Sequence, residues 1–339
     1  MVIPGVRALI LFRTLPESRT AAWAIQVQSN LSTMRRFFLV SLALVASLTI
    51  TLPATAATIA VLVSSDADEY KEALKGFKEA AGQHNVAVYD MYGDLDKGRK
   101  ALAEIERKGR PDLIFAIGTW ALQVTAGQTD IPVVYAMVLN PPSLVASTAK
   151  NVTGASMNVS VDQSLRILKQ LGPQIKRIGV IFNRARTGYL VRQAEIVARD
   201  EGLQLVGSEI RSPKEVPAAL DELQDQVDAL WIVPDETILA QAVVQQILLF
   251  SYRKKIPVLG LSERHARMGA LLALSFASSE DIGRQAGEIA RAVLRGQAVA
   301  QIPYTTARNV SVSVNLKAAD KLGVQIPRPV LTRATLVIQ

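Results

Sequence analysis

The sequence contains no cysteine. That absence excludes disulfides, thiolate metal sites and a lipid-modified N-terminal cysteine. The two histidines, His84 and His265, lie far apart and lack metal-ligand spacing, so no metal centre is predicted and both read as solvated. Enzyme signatures are missing too. No GxGxxG follows the first strand-like run, and GxxxxGKS/T, HExxH and GxSxG do not occur. Beyond the first 57 residues, no apolar run approaches the ~20 residues that a membrane-spanning helix needs. Positive charge is scarcer than it looks. Of the formal +8, half comes from five arginines (Arg7, Arg13, Arg19, Arg35, Arg36) set against the single acid Glu17 in those 57 residues. The remainder is mildly basic and gives no reason to expect a nucleic-acid partner.

What stands at the front of the chain is a leader. Met34-Arg35-Arg36 opens a basic segment, Phe37 to Ile50 is almost wholly apolar, and Ala54-Thr55-Ala56-Ala57 supplies small residues at a cleavage position. That order of charge, apolar core and small residues is a secretory signal peptide, and the core is short for an uncleaved anchor. Residues 1–33 precede a complete signal and read as an extension upstream of a true start at Met34. The expectation is a protein exported to the periplasm, cleaved, not a lipoprotein. The rest, about 280 residues, suffices for two lobes with their own cores.

The exported part repeats itself. Asp112-Leu113-Ile114-Phe115-Ala116-Ile117-Gly118-Thr119 leads through a helix-like run to Ile131-Pro132-Val133-Val134-Tyr135-Ala136. Asp228-Ala229-Leu230-Trp231-Ile232-Val233-Pro234-Asp235 leads likewise to Ile256-Pro257-Val258-Leu259-Gly260-Leu261. The likeness extends upstream. Thr58 to Val63 is a β-branched run followed by an amphipathic helix with Tyr70, Leu74, Phe77 and Ala81 on one face, ended by Gly82. Ile178 to Phe182 is followed by a helix with Leu190, Ala194, Val197 and Ala198 on one face, ended by Gly202. Alternating apolar strands and helices make parallel sheets covered on both faces. The fold class predicted is α/β, two doubly wound parallel-sheet lobes joined by a three-crossing hinge. The expected division is 58–152 with 278–304 in the N-terminal lobe and 153–277 with 305–339 in the C-terminal lobe. Ser279 to Leu294 reads as a helix that rejoins the first lobe, Thr305 to Asn315 as a strand and Leu316 to Leu322 as a last short helix.

In such sheets ligands bind beyond the carboxyl ends of the strands. The candidates in the first lobe are Ser64, Ser65 and Asp66, then Gly118, Thr119 and Trp120, then Met137 and Asn140. The second lobe offers Asn183 and Tyr189, then Asp235, Glu236 and Thr237, then Ser262 and Glu263. Thr119 could cap its helix or donate to a ligand carboxylate, and Trp120 could stack on a ligand or pack the lobe. Asp235 and Glu236 place two carboxylates at a strand end, where a ligand amine or the helix's own first turn could claim them. The pairing of hydroxyl and indole with two carboxylates points to a ligand carrying both charges.

Taken in order, Asp112 to Thr119, Ile131 to Ala136, Asn151-Val152-Thr153-Gly154, Ile178 to Asn183, Val227 to Leu230, Ile256-Pro257-Val258 and Asn315 to Ala319 resemble the ABC transporter substrate-binding proteins of type I periplasmic-binding fold. Some members of that family are associated with tryptophan or tyrosine uptake. The resemblance covers about Thr58 to Pro327. It implies capture of a small polar solute, such as an amino acid, and delivery to a membrane permease powered by a cytoplasmic ATPase. It also implies no cofactor and no catalysis. By position it implies ligand contacts at Thr119, Asn183, Asp235 and Ser262. The chain departs from the family where Ser278 replaces an expected aspartate, where Asn140-Pro141-Pro142 stands for Asp-Pro, and in the loop Ser64 to Asp68. The alternative is a periplasmic sensory protein passing lobe closure to a receptor. A DNA-binding regulator would need a helix pair where the leader stands, and an enzyme would use Asp235 or Glu236 as base. The protein is expected to be a monomer.

Overall fold

The computed structural model describes residues 56–146 and 148–339, so the leader as far as Thr55 lies outside the described residues. Strands β1 (Thr58–Val63), β2 (Asn85–Asp90), β3 (Leu113–Ile117), β4 (Val133–Val138) and β5 (Val152–Ser156) form a five-stranded sheet in the order β2-β1-β3-β4-β5. Every pairing in it is parallel. All residues of β3 and β4 are buried, which is why these strands read as unbroken apolar runs rather than alternating ones.

A second, seven-stranded sheet holds β6 (Arg177–Phe182), β7 (Gln204–Glu209), β8 (Ala229–Trp231), β9 (Val258–Gly260), β10 (Leu272–Phe276), β11 (Val310–Asn315) and β12 (Leu336–Ile338). Its order is β12-β11-β10-β9-β8-β6-β7. The run β7-β6-β8-β9-β10 therefore copies β2-β1-β3-β4-β5, and the sequence repeat is a repeat of sheet topology. The two repeated aspartates do the same work at the far edge of each sheet. Asp112 Oδ2 accepts from Thr58 N (2.8 Å), and Asp228 Oδ2 accepts from Lys176 N (2.9 Å) and Arg177 N (2.7 Å). β11 and β12 have no counterpart in the first sheet, and β11 runs antiparallel to β10.

Helices cover both faces. In the first half these are α1 (Asp68–Ala81), α2 (Leu95–Lys108) and α3 (Thr119–Thr125). In the second they are α4 (Val161–Lys169), α5 (Arg184–Asp200), α6 (Val216–Leu223), α7 (Gln241–Lys254) and α8 (Glu263–Met268). Then come α9 (Ser279–Leu294), α10 (Leu316–Leu322) and α11 (Arg328–Arg333). Helix α9 returns to the first sheet and packs on α1 with backbone touching backbone. A Cβ at Gly76 would lie 2.0 Å from Glu280 O, and one at Gly283 would lie 1.9 Å from Ala73 O, so only glycine permits this contact. Beneath it Phe77 stacks on Phe115 at 3.7 Å.

The chain passes between the sheets three times, after β5, after β10 and before β11. The passages are tied to one another. Ser156 N donates to Thr305 O (2.8 Å), Thr305 N to Gly154 O (2.9 Å), Ala307 N to Asn158 O (2.9 Å) and Ala277 N to Asn309 O (2.9 Å). β5 stays hydrogen-bonded to β4 as far as Ser156, four residues beyond the boundary expected at Val152.

Candidate functional site

The carboxyl ends of the two sheets face a common space, because the segment after β4 reaches the first turns of α5, which follows β6. Asn140 makes that contact. Its Nδ2 donates to Arg186 O (3.3 Å), and its Oδ1 accepts from Tyr189 Oη (2.6 Å). Its own N–H donates to Asn158 Oδ1 in the first passage between lobes (3.0 Å). Asn140 is 5% exposed, so it joins the lobes and is not open to a ligand. Next to it, Leu139 and Met157 meet Leu190, Trp231, Pro234 and Leu261 around an apolar void of ≈ 20 Å³. That space is about one water in size and is too small to hold a solute. A separate cavity of ≈ 720 Å³ opens beside the hinge, lined by Asn158, Asp162, Gln193, Gln285, Tyr304 and Arg308 among others. None of the strand-end candidates lines it.

Further out, the first lobe's wall is built from β1 and β3. Ser64 is buried, its Oγ donating to Ile117 O (2.8 Å) and accepting from Ala121 N (3.0 Å), so it ties β1 to β3 and caps α3. Gly118 (φ 89°) sits under it. A Cβ there would lie 2.6 Å from Ser64 Oγ and 2.7 Å from Tyr70 Oη. Tyr70, assigned by helical spacing to the apolar face, thus brings its hydroxyl to the strand end. Burial, with Glu69 adding, raises its pKa and keeps it a neutral donor. Ser65 is half-buried, and exposed Asp66 is drawn to Lys71 (2.8 Å). Thr119 is half-buried at the start of α3, and Trp120 is 42% exposed with its ring edge over Gly93. Trp120 and, on the neighbouring turn after β2, Tyr92 are the large apolar surfaces that this wall presents.

Met137 faces elsewhere. Its φ of 58° falls where the β4–β5 register shifts, and the bulge turns its side chain into the first sheet's core.

The second wall corrects the expectation for Asp235. The residue is 0% exposed. Its Oδ2 accepts from Asn183 N (2.7 Å) and from Thr187 Oγ1, and its Oδ1 accepts from Thr237 N (2.9 Å). The carboxylate locks the ends of β6 and β8 together and has no face for a ligand. Glu236 is the acid on the surface, its side chain 64% exposed and paired with the Arg186 guanidinium. Asn183 caps α5 through Oδ1 (from Ala185 N, 3.0 Å) and donates Nδ2 to Arg211 O (3.4 Å). Ser262 caps α8 and Ser278 caps α9. Glu263 pairs with Arg267 on its own helix (2.5 Å). These are structural tasks at the strand ends and helix starts.

Neither histidine is merely solvated. His84 Nδ1 accepts from Ala57 N (3.3 Å), and His265 Nδ1 accepts from Leu261 N (3.1 Å). Burial, with Arg264 adding, lowers the His265 pKa and favours the neutral ring that such acceptance requires. Sequence spacing misses Arg186, Tyr70, Asn158 and Tyr304. The first two sit on helix turns that only the fold brings to strand ends. The last two lie in the hinge. The described residues contain no cluster of His, Asp and Glu able to hold a metal ion.

Residues 56–338 match the model of a family described as ABC transporter substrate binding protein. The tyrosine-binding protein of Clostridioides difficile (strain R20291) is 32% identical over 222 residues, 62% of this chain and 64% of that relative. The match thus spans somewhat less than two thirds of the relative's length. The crystal structure of an ABC domain in complex with L-Trp from Streptococcus pneumonia aligns with a TM-score of 0.57 and 25% identity, over 84% of this chain and 100% of that one. The ligand-free, open structure of a Clostridium difficile substrate binding protein with adhesive properties gives 0.63 and 24% over 84% and 99%, a likeness of fold. Match, repeated sheet order and hinge agree, and the chain belongs to the ABC transporter substrate binding protein family, with the two-lobed α/β fold of type I periplasmic binding proteins.

Proposed function

We propose that the protein captures an amino acid, preferably an aromatic one, between its lobes and delivers it to a membrane permease driven by a separate ATPase. One lobe comprises residues 58–156 with α9, and the other runs from α4 through β10 with β11 and β12. The protein acts in the periplasm after its leader is cleaved, as a monomer, without cofactor, and it catalyses no reaction. The observation that carries the reading is the pair of exposed groups on the two walls. Trp120 offers a flat apolar face at 42% exposure, while Arg186 and Glu236 offer both charges on the opposite lobe. A zwitterion with an aromatic side chain matches all three. The ring stacks on Trp120, the carboxylate meets Arg186 and the ammonium meets Glu236. The family match and the relatives described as tyrosine-binding and as a complex with L-Trp support the same ligand class. They also favour transport over sensing.

Closure follows from such a site. A ligand touching both walls favours the closed arrangement by its differential affinity, and the closed shape is the one presented to the permease. The test is native mass spectrometry of the purified protein, followed by a thermal-shift screen of the amino acids. At a hundredfold excess over Kd, a ligand adds about 2.7 kcal/mol, or several degrees in Tm. Tyrosine and tryptophan should head the ranking. A screen in which no amino acid moves Tm removes this reading.

A further inference from the structure

Two of the four non-glycine residues of positive φ among the described residues lie within four positions of each other at the end of β4: Met137 (φ 58°) and Asn140 (φ 54°). Together they bend the strand end out of the first sheet and aim Asn140 at the second lobe. Left-handed backbone is tolerated by asparagine better than by most residues, yet it persists only where surroundings enforce it. Here the surroundings are three hydrogen bonds, to Asn158, to Arg186 O and from Tyr189 Oη. The first holds the backbone of Asn140 to the hinge. The other two cross to α5 through the side chain. The grip falls on a functional turn, because Arg186 supplies the carbonyl that Asn140 holds and the guanidinium that pairs with Glu236 on the ligand wall.

We propose that Asn140 and Tyr189 form a latch that sets the angle between the lobes. Asn140 is a positioning residue, and it acts on the solute only through α5. The latch stabilises the present arrangement of the lobes before ligand arrives, so it sets how often the two walls stand at this separation. The inference rests on the solute-capture reading for its consequence in affinity, but its structural part stands without any ligand. One hydrogen bond contributes between roughly twofold and tenfold to an equilibrium. Losing the latch should therefore shift the population of this interlobe arrangement by about that factor per bond.

Two variants test it by small-angle scattering of the ligand-free protein and by titration with L-tyrosine and L-tryptophan. Tyr189→Phe removes one hydroxyl and keeps the ring. Asn140→Gly removes the side chain while keeping a residue that adopts left-handed backbone freely. The expected result is a radius of gyration that departs from that of the unaltered protein in the same direction for both variants without ligand, and an affinity changed severalfold. Radii equal to that of the unaltered protein in both variants overturn the latch, even if Tm falls, because packing alone would give that pattern. An unaltered protein that binds neither amino acid contradicts the proposed function instead, and the ligand-free scattering still decides the latch.

Discussion

Replacing Asp235 by alanine separates its structural task from a ligand role. In the native fold its carboxylate accepts from two backbone N–H groups, of Asn183 and Thr237, and from the Thr187 hydroxyl, with no exposure to solvent. Alanine leaves three buried donors without an acceptor. Each costs about 1–3 kcal/mol, and partial relaxation brings the sum to roughly 3–6 kcal/mol. That is a large share of the roughly 5–15 kcal/mol that holds a domain. At about 2–4 °C per kcal/mol, Tm falls by between about 6 and 24 °C. Asp235→Asn keeps one acceptor oxygen and should lose less. The assay is thermal and urea unfolding without ligand, so that binding contributes nothing. An Asp235→Ala protein with unchanged Tm and abolished binding would instead make the carboxylate a ligand contact.

Further outcomes follow from the same geometry. Trp120→Ala and Glu236→Gln should each weaken amino-acid binding by about tenfold, an energy of ~1.4 kcal/mol, while leaving Tm unmoved because both side chains are exposed. Calorimetric titration of the two variants checks this. Gly283→Ala places a methyl 1.9 Å from Ala73 O and pushes α9 off α1. Although alanine suits a helix better by ~1 kcal/mol, overpacking of about 1–3 kcal/mol should win and lower the urea midpoint. The Asp228 carboxyl is pushed up by burial, but the Arg177 guanidinium and the N–H groups of Lys176 and Arg177 outweigh that and hold it below the usual aspartate range. A depressed carboxylate stabilises the fold above its unfolded pKa, and that stability is lost as pH falls below about 4. Asp228→Asn should therefore reduce stability at pH 7 and flatten the acid limb of unfolding followed by circular dichroism.

Most of the fold is legible in the sequence because its signals are local. Strands such as β3 and β4 are buried on both faces and therefore apolar throughout. The helices that follow open on capping residues, Asn183, Ser262 and Ser278 among them. Of the last elements, the helix Leu316–Leu322 is legible, but the pairing of the strands around it is not. β12 is three residues long, and the antiparallel placement of β11 depends on pairing with β10, not on its own pattern. The site divides in the same way. Strand ends locate its walls, but Ser, Asn and Asp at a strand end suit both a helix cap and a ligand. Which task a residue performs is decided by contacts far along the chain. Asp235 is taken up by Asn183 and Thr187, some fifty positions away. Tyr70 reaches Gly118 only because α1 lies against the end of β3. Bulges such as the one at Met137 reverse the facing of a side chain without leaving a mark in the composition.

The proposed site holds a solute against Trp120 between the lobes. Once the leader is removed, Trp120 and Trp231 are the chain's two tryptophans, one exposed and one buried. In a Trp231→Phe protein Trp120 alone reports. Titration with L-tyrosine should shift its emission to shorter wavelength in a saturable, one-to-one manner as the ring leaves water. Emission that stays constant while calorimetry records tight binding would place the ligand elsewhere and contradict the site.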